Sequence, residues 1–219
     1  MNKLVICIFP KDTTTDFLEP IFNAAKNMSE DFAGYRIDTT NEGDVTRLKT
    51  RIEALDNNCT IVFLGHGASN CLYGTPTKGK NEVLFTQKQL SVIKNKTNFI
   101  FACNSNELLN SLKSDHYIGF GDMPTDYSEV ISEREFSDPT YLSSITEQDL
   151  AEYRRLIVDI VVKAITKSKL VSLSELVRYL MLFANIAIVE ILTSKNICNF
   201  RMLADLIYDW KDAIKYSVK

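Results

Sequence analysis

The chain has 219 residues, 45% apolar and 24% charged, with a net charge of −3 and an isoelectric point near 5.5. A chain of this length and composition buries a sizeable core without staples, which excludes a disulfide scaffold, a disordered tail and a collagen-like repeat. No Lys/Arg block exceeds two residues, which argues against a nucleic-acid partner.

In chain order, residues 4–9 (LVICIF) form a short β-branched run closed by Pro10, the pattern of a buried strand rather than of a signal peptide. Residues 12–15 offer several N-cap side chains, and Phe17, Leu18, Ile21, Phe22 and Ala25 follow at helical spacing. Residues 35–39 read as a weaker strand, and Val45, Leu48, Ile52 and Leu55 as a helix stripe. Residues 60–64 (TIVFL) are a second apolar strand, ending in Gly65-His66-Gly67. A short helix over 87–95, a buried strand over 99–103 (FIFAC), a helix over 106–112 and a core strand over 117–120 (YIGF) complete the alternation.

All eight glycines and all five prolines precede residue 140, so the remainder reads as nearly all helix with short polar breaks. Leu156, Ile157, Ile160, Val161, Ala164 and Ile165 form one stripe. Ser172 or Ser174 caps a helix carrying Leu176, Leu180, Phe183 and Ala187. A third helix over about 200–214 buries Leu203, Leu206, Ile207 and Trp210. The expected fold class is α/β, a mostly parallel sheet flanked by helices, with an all-helical C-terminal portion. One domain spans 1–192, and 193–219 is a helical extension packed on it or at an interface. The apolar stretch 179–189 is far short of a membrane span and carries Asn185, so no membrane partner is expected. Cys7, Cys59, Cys71, Cys103 and Cys198 are odd in number and form no CxxC pair, as expected of reduced thiols in a cytoplasmic protein.

Open parallel sheets gather ligands and catalytic groups at the carboxyl ends of their strands. His66 and Cys103 fall at two such ends. If their strands are neighbours, those ends lie about 5 Å apart. An imidazole facing a thiol can take its proton and then deliver it to a leaving amine, the chemistry of acyl transfer. Backbone N–H groups at Gly67 and Cys103 can hold the oxyanion. The loop 68–81, with Gly74, Pro76 and Gly79, reads as long and mobile enough to gate the cleft.

The segments IVFLGHGASNCLYG (61–74), FIFACNSNELL (99–109) and YIGFGDMPTD (117–126), followed by YRRLIVDIVVKAI (153–165) and SLSELVRYL (172–180), resemble the caspase-like cysteine peptidases, most of all the bacterial CHAT branch related to separase. The resemblance covers about residues 3–190. It implies a caspase-like fold and a cysteine endopeptidase with a His66/Cys103 dyad, no essential third member and no cofactor. It implies an oxyanion N–H at Gly67, and Asp126 and Asp122 as acids that bind a basic side chain before the scissile bond. It further implies a protein or peptide substrate, control by a partner, a ligand or self-cleavage, and a role in bacterial defence or cell death.

Other readings stand beside these. Cys103 can be a core thiol, and His116 reads as a surface or capping residue. A zinc site of His66, Cys71, Cys103 and His116 matches no common spacing. Asp122 and Asp126 can be turn formers around Pro124, Asn104 and Ser105 helix caps, and Glu133-Arg134-Glu135 a solvated face. A catalytically silent caspase-like scaffold is one rival function. A nucleotide-binding α/β protein is the other, although no GxGxxG or Walker A sequence occurs.

Overall fold

The computed structural model describes residues 4–170, 172–194 and 199–218. Strand β1 (Leu4–Pro10) is followed by a 3-10 turn (Asp16–Leu18) and helix α1 (Glu19–Met28), whose Pro20 lies in the first turn, where no backbone N–H is needed. Strand β2 (Phe32–Ile37) and helix α2 (Glu42–Glu53) follow. Asn41 caps α2 by accepting from the N–H groups of Gly43 and Asp44. Strand β3 (Cys59–Leu64) leads into three short strands, β4 (Gly67–Ala68), β5 (Cys71–Tyr73) and β6 (Val83–Thr86). Next come helix α3 (Gln87–Leu90), opened by a capping box of Thr86 and Gln89, and a second 3-10 turn (Ser91–Ile93). Strand β7 (Thr97–Phe101), helix α4 (Ser105–Ser111) and strand β8 (His116–Gly119) complete the alternating half. Helices α5 (Tyr127–Phe136), α6 (Glu147–Ser168), α7 (Leu173–Thr193) and α8 (Phe200–Asp212) precede a last strand, β9 (Lys215–Val218).

The main sheet has six strands in the order β2-β1-β3-β7-β8-β9, all parallel except β9. Its strands alternate between two cores, as the two-residue side-chain period requires. Val5, Cys7, Phe9, Val62, Leu64, Phe99 and Phe101 face α1, α6, α7 and α8. Ile6, Ile8, Ile61, Phe63 and Ile100 face α2, α4 and the small antiparallel sheet β4-β5-β6. Both faces are buried, which is why these strands read as continuous apolar runs. The chain steps leftward from β1 to β2 and rightward from β3 onward. The order therefore reverses between β1 and β3, and the crevice outside their carboxyl ends is a topological switch point.

Several elements differ from the sequence expectation. The extension 193–219 is not all helical: α8 stops at Asp212, and β9 pairs antiparallel with β8. Trp210 stacks on Phe120 with ring centroids 5.7 Å apart, so this segment is integral to the sheet and its core. The helix expected over 87–95 is split into α3 and a 3-10 turn. Helix α5 has no apolar stripe in the sequence because it buries only Val130. At 21 residues α7 is long and apolar enough to cross a membrane by length and composition, more than the stretch 179–189 suggests. Its inner residues Leu176, Leu180, Ala184, Ala187 and Ile191 are buried, and it packs against α6 and α8; Leu182, Ile186, Val189 and Leu192 are exposed.

Candidate active site

Strands β3 and β7 are neighbours, with Leu64 opposite Phe101 as the last pair in register. His66 and Cys103 each lie two residues beyond that pair, so the ladder itself brings them to the same edge. The Gly65 N–H donates to the Phe101 carbonyl at 3.2 Å and extends the pairing by one bond. The chain then turns into β4, and the Tyr73 N–H donates to the His66 carbonyl at 3.0 Å. That bond makes Gly67–Leu72 a non-hydrogen-bonded pair, so the ladder does not use the Gly67 N–H. A Cβ on Gly67 would meet the Ala102 Cβ at 2.9 Å and the Cys103 carbonyl oxygen at 3.0 Å, so the two segments touch and glycine is required there.

Because β1 lies beside β3, the turn after β1 reaches the same place. Thr14 Oγ1 is 2.8 Å from His66 Nε2, and Asp12 Oδ2 is 3.3 Å from it. Asp12 Oδ1 accepts from the Thr14 N–H at 2.9 Å and from the Thr14 hydroxyl at 2.8 Å. The Asp12 side chain is 3% exposed. Its Oδ2 is buried without a conventional hydrogen-bond partner, beside this imidazole nitrogen. Residues 12–15 do not cap α1, whose N-cap is Leu18. Sequence reading missed Asp12 and Thr14 because their role depends on which strand lies next to β1.

Cys103 sits in a strand–turn–helix corner. Asn104 adopts a left-handed conformation with φ 54°, and its N–H donates to the Gly121 carbonyl at 3.0 Å. Ser105 is buried; its hydroxyl donates to the Ile100 carbonyl at 2.7 Å and accepts from the Phe120 N–H at 2.9 Å. It therefore ties the ends of β7 and β8 to α4 instead of capping the helix, and Asn104 makes no side-chain cap either. The Cys103 thiol donates to the Met123 carbonyl at 3.6 Å, within reach for sulfur. Burial, and then the carboxylates of Asp122 and Glu129, push this thiol up from 9.0 to about 12. It is protonated at neutral pH.

His66, Gly67 and Cys103 line one cleft of about 400 Å³, together with Tyr73, Asn81, Asn104 and Tyr141. Asp122, Glu129 and Glu133 supply its charge, and among the described lining residues only His66 can be cationic. Partial burial, and then Asp126 and Asp122, raise the Glu129 carboxyl above the usual range. The Tyr141 phenol is raised to about 12 by burial, then by Asp122 and Glu133. Glu129 and Glu133 lie one turn apart on α5, so Glu133 is part of the cleft and not merely a solvated face. Arg134 donates instead to the carbonyls of Tyr141 and Leu142.

Of the two expected substrate-binding acids, Asp122 lines the cleft and Asp126 does not. Asp126 is the N-cap of α5; its Oδ1 accepts from the Ser128 N–H and hydroxyl, both at 2.7 Å, and it borders a neighbouring depression with Thr13, Thr14 and Arg154. The segment 68–81, expected to gate the cleft, carries β5 and part of β4 and is anchored to Thr39. The Thr75 N–H donates to Thr39 Oγ1 at 2.7 Å, and a Cβ on Gly74 would collide with the Thr39 side chain. Cys71 is buried in β5 and His116 opens β8. Among the described residues no group of three or more His, Cys, Asp or Glu is arranged to hold a metal. Among the described cysteines, Cys7, Cys59, Cys71 and Cys103, no disulfide forms, and Cys198 lies outside the described residues. No protein-family model matches the chain, and comparison with curated proteins gives no match.

Proposed function

We propose that the protein is a cysteine endopeptidase of the caspase-like, CHAT-type kind, cutting protein or peptide substrates after a cationic residue. The observation that carries this reading is the meeting of His66 and Cys103 at the ends of adjacent parallel strands, in a cleft whose other charges are Asp122, Glu129 and Glu133. In this mechanism the Cys103 proton passes to His66, and Sγ attacks the scissile carbonyl carbon. The N–H groups of Gly67 and Cys103 hold the oxyanion. Collapse expels the amine, which takes the proton from His66, and leaves a thioester. Water then gives a proton to His66 and attacks the thioester, releasing the carboxylate and restoring the thiol.

A Lys or Arg side chain suits the acidic wall, and its charge would offset the repulsion that Asp122 and Glu129 exert on a forming thiolate. The same wall is a poor cradle for phosphates, which counts against the nucleotide-binding rival. Described cysteines without a disulfide fit a reducing, cytoplasmic setting. Recognition and activation by a partner, and a part in bacterial defence or cell death, follow from the resemblance.

The test is covalent labelling with a peptidyl-arginine chloromethyl ketone, in which Sγ displaces chloride and forms a thioether. One adduct on Cys103 is expected by intact mass, slowed in His66→Ala and slower still with glutamine in place of arginine. Equal labelling of wild type and Cys103→Ala would contradict the proposal.

A further inference from the structure

The His66 ring makes polar contacts through Nε2. This nitrogen lies beside the Thr14 hydroxyl and the Asp12 carboxylate. The Thr14 hydroxyl lies 2.8 Å from both Asp12 Oδ1 and Nε2; a carboxylate is the stronger acceptor, and a hydroxyl that donates to it offers Nε2 a lone pair. Asp12 Oδ2, buried and with no conventional partner, lies 3.3 Å from the same nitrogen. The carboxylate cannot turn away, because Oδ1 is also held by the Thr14 N–H at 2.9 Å. We infer that Asp12 and Thr14 are positioning residues for His66: they place its proton on Nε2 and leave the Nδ1 lone pair for Cys103. The inference rests on the peptidase reading above and adds a buried third member to a site that the resemblance describes as a dyad.

The physical argument has two parts. A neutral imidazole carries one proton, and the nitrogen facing acceptors keeps it. When Nδ1 then takes the thiol proton, the ring becomes a cation with a buried carboxylate beside it, which stabilises the charged form and holds the ring plane. Both parts follow from the strand order, since only the switch point places the turn after β1 against the turn after β3.

The chain has two histidines, so His116→Gln leaves a single imidazole for 15N NMR. Spectra are recorded at about pH 8.5, above the ordinary imidazole range. The expected signature is a protonated Nε2 and an unprotonated Nδ1. Asp12→Asn keeps the acceptor for Thr14 but can turn an amide donor toward Nε2, so the pattern should invert. Thr14→Val should give a mixture of both tautomers, and Thr14→Ser should restore the native one. With a cleavable substrate, Asp12→Asn should lower kcat by ~10²–10⁴-fold with little change in KM. A wild-type ring protonated on Nδ1, or a tautomer unchanged by Asp12→Asn, would overturn the inference. The spectrum reads His66 alone, so a lack of turnover would count against the peptidase reading and leave the positioning role to be decided by NMR.

Discussion

The two sides of the cleft are built differently. On the β3 side, the imidazole lies in a short polar network, with the Thr14 hydroxyl 2.8 Å from both Asp12 Oδ1 and Nε2 and Asp12 Oδ2 3.3 Å from Nε2. On the β7 side, the thiol is held by burial, by a locked corner and by carboxylates that oppose its ionisation. Under the proposed peptidase reading, His66 is a prepared base and Cys103 a restrained nucleophile, and a cation beside Asp122 and Glu129 would ease the ionisation those charges oppose.

The sharpest way to break this contrast is to remove the prepared side. His66→Ala should cut turnover about 10⁴-fold, while Cys103 remains open to slow alkylation at high pH. The restrained side predicts a smaller and opposite signature. Thiol ionisation is disfavoured, so alkylation of Cys103 by iodoacetamide should rise through the alkaline range and level off only towards about pH 12. Asp122→Asn with Glu129→Gln should move that midpoint down, because the like charges that raise it are gone. The same pair should lower kcat/KM for arginine substrates ~10–100-fold. An unshifted midpoint would mean that burial alone restrains the thiol.

Gly67→Ala probes where the two sides touch. Its Cβ would press on Ala102 and the Cys103 carbonyl, and the expected cost is about 1–3 kcal/mol in urea unfolding, with reduced turnover. Asp126→Ala gives the smallest effect, about 1 kcal/mol from a lost helix cap. Cleavage preference should not change. If it did, the specificity pocket would extend to the Asp126 side.

The contrast also marks what could be read from sequence. His66 and Cys103 were legible because each follows a run buried on both faces and is flanked by glycine or a polar turn. Asp12 was visible only as one acid in a polar stretch, since its partner is fixed by the position of β1 between β2 and β3. Glu129 and Glu133 were hidden because α5 buries little and shows no apolar stripe. Strands β4, β5 and β6 have two to four residues each and lack a usable period. Strand β9 (KYSV) has no breaker before it and follows directly from helical spacing, so it read as helix. Asp126 is an acid in the expected register whose Oδ1 caps α5.

The most direct measurement is digestion of a diverse peptide library, read by mass spectrometry, with wild type and Cys103→Ala compared under reducing conditions. Cuts confined to wild type, with Arg or Lys before the scissile bond, are the expected result. Cuts that persist in Cys103→Ala, or a library left intact by both proteins, would contradict the assignment of a cysteine peptidase.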